Sequence, residues 1–296
     1  MREPEEKQFE INGVKLTVFE WGEKHEESVL LVHATGFHAR CWDQVIRNLD
    51  DYHAVAVDMR GHGRSENTGP FSWDVFGQDV SELVQAMDLT DVVGVGHSMG
   101  GHSVTQAAAN QGDRFKGLVL VDPVIMSPEM YAARDDYNGL QENQVHPVSR
   151  RRNSFRDADE MFYHMENRGS YALWDQQVLR DYCDYGILPD PDSGEYELAC
   201  PPEIEASIYM GSSGRDIYDK IDTITMPVKV LRARERTGDD RQAMDFSMSP
   251  TWSGLAERFQ QGEDISLPDL SHFIPMQDPE LVAEHIKHSL NGQANQ

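Results

Sequence analysis

Five short apolar runs constrain this chain more than any other feature. They read Ser28-Val29-Leu30-Leu31-Val32, His53-Ala54-Val55-Ala56-Val57, Val92-Val93-Gly94-Val95, Leu118-Val119-Leu120-Val121 and Val228-Lys229-Val230-Leu231. A run this brief, with so few polar alternate positions, suits a strand covered on both faces, as in a parallel sheet layered between helices. Helix-length segments lie between the early runs, at residues 41–49, 73–87 and 99–111, the last stopped by Gly112. Residues 9–21 alternate in polarity around Asn12-Gly13, a two-residue turn signal, and predict an opening β-hairpin. Strand and helix alternate, so the expected class is α/β, with a doubly wound, mostly parallel sheet.

The rhythm changes between residues 124 and 222, where no run reads as a buried strand and a Pro-rich stretch stands at Pro189-Asp190-Pro191. A mainly helical insertion is expected there, between core segments 1–123 and 223–296. The 296 residues fit one large domain with an inserted subdomain. Past Pro227 the chain predicts a returning strand, a helix near 255–259, a short strand at 265–267 and a final helix over 279–290.

Charge and cysteine usage exclude several classes. With 51 acidic against 26 basic side chains the formal charge is −25, which repels nucleic acid and anionic membrane surfaces, so neither is an expected partner. Cys41, Cys183 and Cys200 are too few and scattered for a disulfide framework or a zinc site and read as reduced packing residues. The histidines form no H-E-x-x-H or similar pattern, so no metal is expected. No apolar run approaches the ~18 residues of a spanning helix, and no secretory signal pattern opens the sequence. A soluble, cytoplasmic protein is expected.

The chemistry-bearing segment is Gly96-His97-Ser98-Met99-Gly100-Gly101, a G-x-S-x-G pattern set between a buried strand and a helix. A nucleophile presented on such a strained strand-to-helix turn needs small flanking residues, and Gly96 and Gly100 meet that need. With this motif in this setting, nearly the whole chain resembles the α/β-hydrolase family. Two further segments carry the resemblance. The run Leu31-Val32-His33-Ala34-Thr35-Gly36-Phe37, with Trp42 beyond it, is similar to the family's H-G-x-x loop, although Ala34 stands where many relatives have Gly. Asp58-Met59-Arg60-Gly61-His62-Gly63-Arg64-Ser65 is similar to its structural D-x-R-G-x-G-x-S loop. The resemblance implies that the backbone N–H groups of Thr35 and Met99 form an oxyanion hole.

Family chain order is nucleophile, acid, base, so the resemblance places the base downstream of Ser98. His272, in Leu270-Ser271-His272-Phe273, resembles the segment that carries the catalytic histidine, whereas His285 and His288 fall in the terminal helix. Three carboxylates compete for the acid. The usual loop follows Leu231, where Arg236 occupies the expected position, with Glu235 one residue short and Asp239 three beyond. The other site, used by some relatives, is the end of the strand after the nucleophile helix, where Asp122 stands. Asp122 is preferred, with Glu235 and Asp239 as alternatives.

These features imply a serine hydrolase that cleaves a carboxylic ester of a small organic substrate through an acyl-serine, without a cofactor. The same machinery serves lactonases, C–C bond hydrolases and perhydrolases, and some members of this fold act as small-ligand receptors. The insertion is expected to roof the site as a cap. Met161, Phe162, Tyr163, Met165 and Trp174 either line its pocket or form its own core; Arg150-Arg151-Arg152 either attracts a substrate carboxylate or is a solvated charge run.

Overall fold

A computed structural model describes residues 3–23, 27–49, 52–135, 146–211, 216–236 and 245–292. Strands β1 (Glu5–Ile11) and β2 (Val14–Trp21) form the opening hairpin, turning through Asn12 and Gly13, both at positive φ (47° and 78°). Then follow β3 (Ser28–Val32), α1 (Asp43–Arg47), β4 (His53–Val57), α2 (Trp73–Ala86), β5 (Val92–His97), α3 (Met99–Asn110) and β6 (Phe115–Val121). An insertion follows, carrying α4 (Pro128–Asp135), β7 (Ser154–Phe155), α5 (Ala158–Met165), α6 (Gln176–Tyr185), β8 (Ile187–Pro189), β9 (Tyr196–Leu198) and α7 (Pro202–Gly211). After α8 (Tyr218–Ile221) the chain returns to the sheet with β10 (Val228–Arg232) and β11 (Gly262–Ser266), and ends in α9 (Ile274–Gln277) and α10 (Pro279–Leu290).

The main sheet has eight strands in the order β1-β2-β4-β3-β5-β6-β10-β11. Only the β1/β2 and β2/β4 pairs are antiparallel. From β4 through β11 every pair is parallel. Alternate residues of the buried strands feed two different cores, because successive side chains of a strand point to opposite faces. Leu30, Val32, Val55 and Val57 join the core under α2 and α3, whereas Val29, Leu31, Ala54 and Ala56 join the one under α1 and α10. Burying each such side chain contributes about 1.5–3 kcal/mol, so a polar position anywhere in these runs would be costly. Helix α2 presents Trp73, Phe76, Val80, Leu83 and Val84 to the first core at helical spacing. Helix α10 begins at Pro279 behind an Asp278 cap, whose carboxylate accepts from Leu281 N–H at 3.0 Å.

The mainly helical insertion also carries a small antiparallel sheet of β7, β9 and β8. Strands of two or three residues leave no periodic signal, and the turn at Pro189-Asp190-Pro191 joins two of them. One expectation needs correction: the helix expected near 255–259 is only a 3-10 turn, Ala256–Arg258, because Phe259 is already extended and Gly262 opens β11.

The parallel strands point their C-terminal ends the same way, so the loops after β3, β5, β6 and β10 gather along one edge of the sheet. A third core, drawn from the insertion and from Ala34, Phe37, Phe273 and Met276, sits over that edge.

Candidate active site

Ser98 stands at the turn between β5 and α3 with φ 57° and ψ −116°, a conformation that costs about 1–3 kcal/mol and persists only where the surroundings enforce it. Two glycines make that enforcement possible. A Cβ on Gly96 would collide with the backbone of Gly100, and one on Gly100 would collide with the carbonyl of Val32 at the end of β3. The turn is also tied to the next strand, since Ser98 N–H donates to Val121 O at 3.1 Å. The Ser98 side chain is thereby held at the sheet's edge, 8% exposed.

His272 and Asp122 complete a continuous hydrogen-bonded chain with it. Ser98 Oγ lies 3.0 Å from His272 Nε2, and His272 Nδ1 lies 2.7 Å from Asp122 Oδ2. An ionised carboxylate only accepts, so the proton belongs on Nδ1 and Nε2 is left to accept from the Ser98 hydroxyl. Asp122 follows β6 with a positive φ of 44° and is fully buried. Its Oδ1 accepts from Ala233 N–H at 3.1 Å, from the Ser249 hydroxyl and from Thr251 Oγ1 at 3.2 Å, which fixes the carboxylate plane. His272 is held through its backbone: its N–H donates to Phe246 O at 3.1 Å, and its carbonyl accepts from His97 Nε2 at 2.8 Å. The Phe246 ring stacks on the imidazole, centroids 5.8 Å apart.

Of the alternative acids, Glu235 is exposed beyond β10, and Asp239 lies outside the described residues. Sequence reasoning missed the supporting shell of His97, Phe246, Ser249 and Thr251, since no local motif marks it. Its one signal was His97, inside the G-x-S-x-G pattern.

The loop after β3 is built by histidines. Met59 N–H donates to His33 Nε2 at 3.0 Å and Gly36 N–H to His62 Nε2 at 3.1 Å; each ring's Nδ1 then donates to a carbonyl, of Ala34 and Arg60 respectively. Both rings must be neutral to accept, and burial pushes His33 well below the usual histidine range and His62 down to about 4. Asp58 ties the two loops, accepting from Ala39 N–H at 2.7 Å and Arg64 N–H at 2.8 Å. Gly36 N–H donates to His62 and Phe37 N–H to Ala34 O at 3.2 Å, whereas no hydrogen bond engages Thr35 N–H among the described residues. Met99 N–H opens α3, where a helix leaves its first amides without internal acceptors.

Comparison with known proteins identifies the family. The profile of the alpha/beta hydrolase family matches residues 29–285. The chain belongs to that family. Among similar proteins, the lipase LipV of Mycobacterium tuberculosis is 26% identical over 282 residues, covering 94% of this chain and 98% of the lipase. The bifunctional esterase/perhydrolase DCH of Acinetobacter calcoaceticus is 24% identical, covering 92% and 94%. The crystal structure of E-2-(acetamidomethylene)succinate hydrolase superposes with a TM-score of 0.74 at 19% identity, over 98% of this chain and 100% of that one.

In this alpha/beta hydrolase the insertion brings an aromatic cluster down to the loop after β3. Phe37 packs against Trp174, Tyr182 and Phe273 with ring centroids 5.4–6.0 Å apart. The other insertion residues singled out in the sequence divide. Met161 and Met165 belong to the insertion's own core, Phe162 is half-buried against it, and Tyr163 is 72% exposed. The arginine run is not simply a solvated stretch, because Arg151 pairs with Glu205 at 2.8 Å and Arg152 with Glu160 at 2.8 Å. Cys41, Cys183 and Cys200 are all buried and free, and burial raises their thiols, which disfavours the reactive thiolate form. Among the described residues no cluster of His, Cys, Asp and Glu is arranged to hold a metal, and no helix is long and apolar enough to cross a membrane.

Proposed function

We propose that this hydrolase is a serine esterase acting on small carboxylic esters. The observation that carries the reading is the unbroken Asp122–His272–Ser98 chain, at 2.7 and 3.0 Å. In the first step His272 Nε2 takes the Ser98 proton as Oγ attacks the ester carbonyl. The oxyanion so formed is held by the N–H groups of Thr35 and Met99, and Asp122 stabilises the imidazolium. His272 then protonates the departing alkoxide, which leaves as the alcohol. Water, deprotonated by the same imidazole, attacks the acyl-serine and releases the carboxylic acid.

The test is a panel of chromogenic esters of increasing acyl length, run on the wild-type protein and on Ser98→Ala, with fluorophosphonate labelling alongside. Labelling of Ser98, and loss of at least about 1,000-fold in turnover in Ser98→Ala, is the expected result. Unchanged turnover in that variant would remove the assignment. A perhydrolase reading draws support from the similarity to the Acinetobacter esterase/perhydrolase, and differs only in hydrogen peroxide replacing water as the acceptor of the acyl group. Peracid formation in the same assay distinguishes it.

A further inference from the structure

The insertion places a buried carboxylate beside the oxyanion loop. Glu205, on α7, is 4% exposed, and its carboxyl group packs so closely on Gly36 that a Cβ there would collide with it. Gly36 directly follows Thr35, whose amide is the proposed oxyanion donor. A bare negative charge at that position would oppose the negative charge that grows on the substrate oxygen, and in a dry site this opposition is poorly screened. The charge is not bare. Arg151 Nη1 donates to Glu205 Oε2 at 2.8 Å, and Arg151 Nη2 donates to Tyr182 Oη at 2.9 Å. Tyr182 is itself bound to the same loop, packing on Phe37 at 5.4 Å and accepting at its carbonyl from His38 Nε2 at 3.1 Å. An ion pair with one partner buried and the other only partly exposed is at best weakly stabilising compared with apolar residues of similar size, so stability alone gives little reason to keep one here.

We infer that Arg151 is a positioning residue for the proposed esterase reaction, compensating the Glu205 carboxylate so that the oxyanion loop can accept a developing negative charge. The inference rests on the esterase reading and on the place of Glu205 against Gly36. The groups facing Glu205 are Arg151 from the segment before β7, Tyr171 and Tyr182 from the turn before α6 and from α6, Tyr209 from α7 itself, and Cys200. Of these only Arg151 is a cation, so its removal leaves the carboxylate uncompensated. Burial already raises the Glu205 carboxyl above the usual range. Without Arg151, whose charge opposes that effect, the carboxyl is raised further.

The experiment compares Arg151→Gln, Glu205→Gln and the double variant with the wild-type protein, reading kcat, KM, Tm and the pH dependence of kcat. Arg151→Gln keeps a hydrogen-bond donor without the charge. It should lower kcat by about ten- to a hundredfold with KM little changed. Its deficit should deepen as pH rises and Glu205 ionises. Adding Glu205→Gln should return most of the lost kcat and make the ratio to wild type independent of pH, a rescue that a merely structural role for Arg151 does not give. A folded Arg151→Gln variant within threefold of wild type at every pH overturns the inference, as does a double variant no better than the single one. Should Arg151→Gln not fold, Glu205→Gln alone decides: compensation requires its kcat to be kept or raised, and a tenfold fall overturns the inference. Ser98→Ala in the same assay separates this from the function itself, because turnover surviving there defeats the esterase reading whatever Arg151 does.

Discussion

Asp122 is held by more groups than orientation of His272 alone requires. Three donors converge on its Oδ1, leaving Oδ2 for the imidazole. Asp122→Asn should therefore keep the fold but present an amide N–H or a weak acceptor to His272 Nδ1, favouring the wrong tautomer. A fall in kcat of about 10³–10⁴-fold with an unchanged Tm is expected, measured by ester turnover and thermal melting. His62→Ala should act on the other side of the site. Losing the acceptor of Gly36 N–H loosens the loop that carries Thr35, and the variant should lose about 1–3 kcal/mol of stability in urea melts together with part of its kcat. Ser98 and His272 were legible in the sequence because a motif and a chain order mark them. Asp122 was legible only as one of three places. The bonds that distinguish it come from Ala233, Ser249 and Thr251, more than a hundred residues away, and no spacing rule reaches that far.

At the scale of elements, the buried strands were legible because their two-sided burial leaves so few polar positions. Val29 and Leu30 belong to opposite cores, yet both must be apolar. Helix α10 was equally plain, since Pro279 and Asp278 mark its start. The three strands of the insertion were not legible, because two or three paired residues carry no period, and neither was the 3-10 turn at Ala256–Arg258. The elbow between β5 and α3 makes the sharpest prediction at this scale. Gly100→Ala places a methyl against the Val32 carbonyl, backbone on backbone, with no flexible side chain to yield. A loss of at least about 3 kcal/mol in chemical denaturation, or failure to fold, is expected. A substitution that melts within ~0.5 kcal/mol of wild type would mean that helix and strand can separate there.

The whole molecule carries a formal charge of −25, and burial holds His33, His38, His62 and His97 below the usual histidine range. The charge excess repels itself within a Debye length of about 10 Å at ~0.1 M salt, so Tm should rise on adding sodium chloride. A Tm indifferent to salt would show that the excess is already locally compensated. The histidines set the acid limb. Their folded-state values lie below the unfolded value near 6.5, with His38 and His62 at about 4, so the unfolded chain binds protons first as pH falls. Stability should therefore be present above pH 6.5 and begin to fall below it. Burial raises Asp43 and Asp58 to about 6, and these contribute in the opposite sense below that pH, so the slope should flatten there. Urea midpoints between pH 7.5 and 5 check both the drop and the flattening.

The network around Asp122 also sets an order in time. Its backbone and side chain are secured by Leu231, Ala233, Ser249 and Thr251, none of which is in place until β10 has docked beside β6 and the following segment has folded back across it. During refolding, then, the helical signal and the burial of β3 to β6 should return before the first ester is cleaved. On the proposed esterase reading a partly assembled molecule should be chemically silent, with turnover returning as the last seam closes.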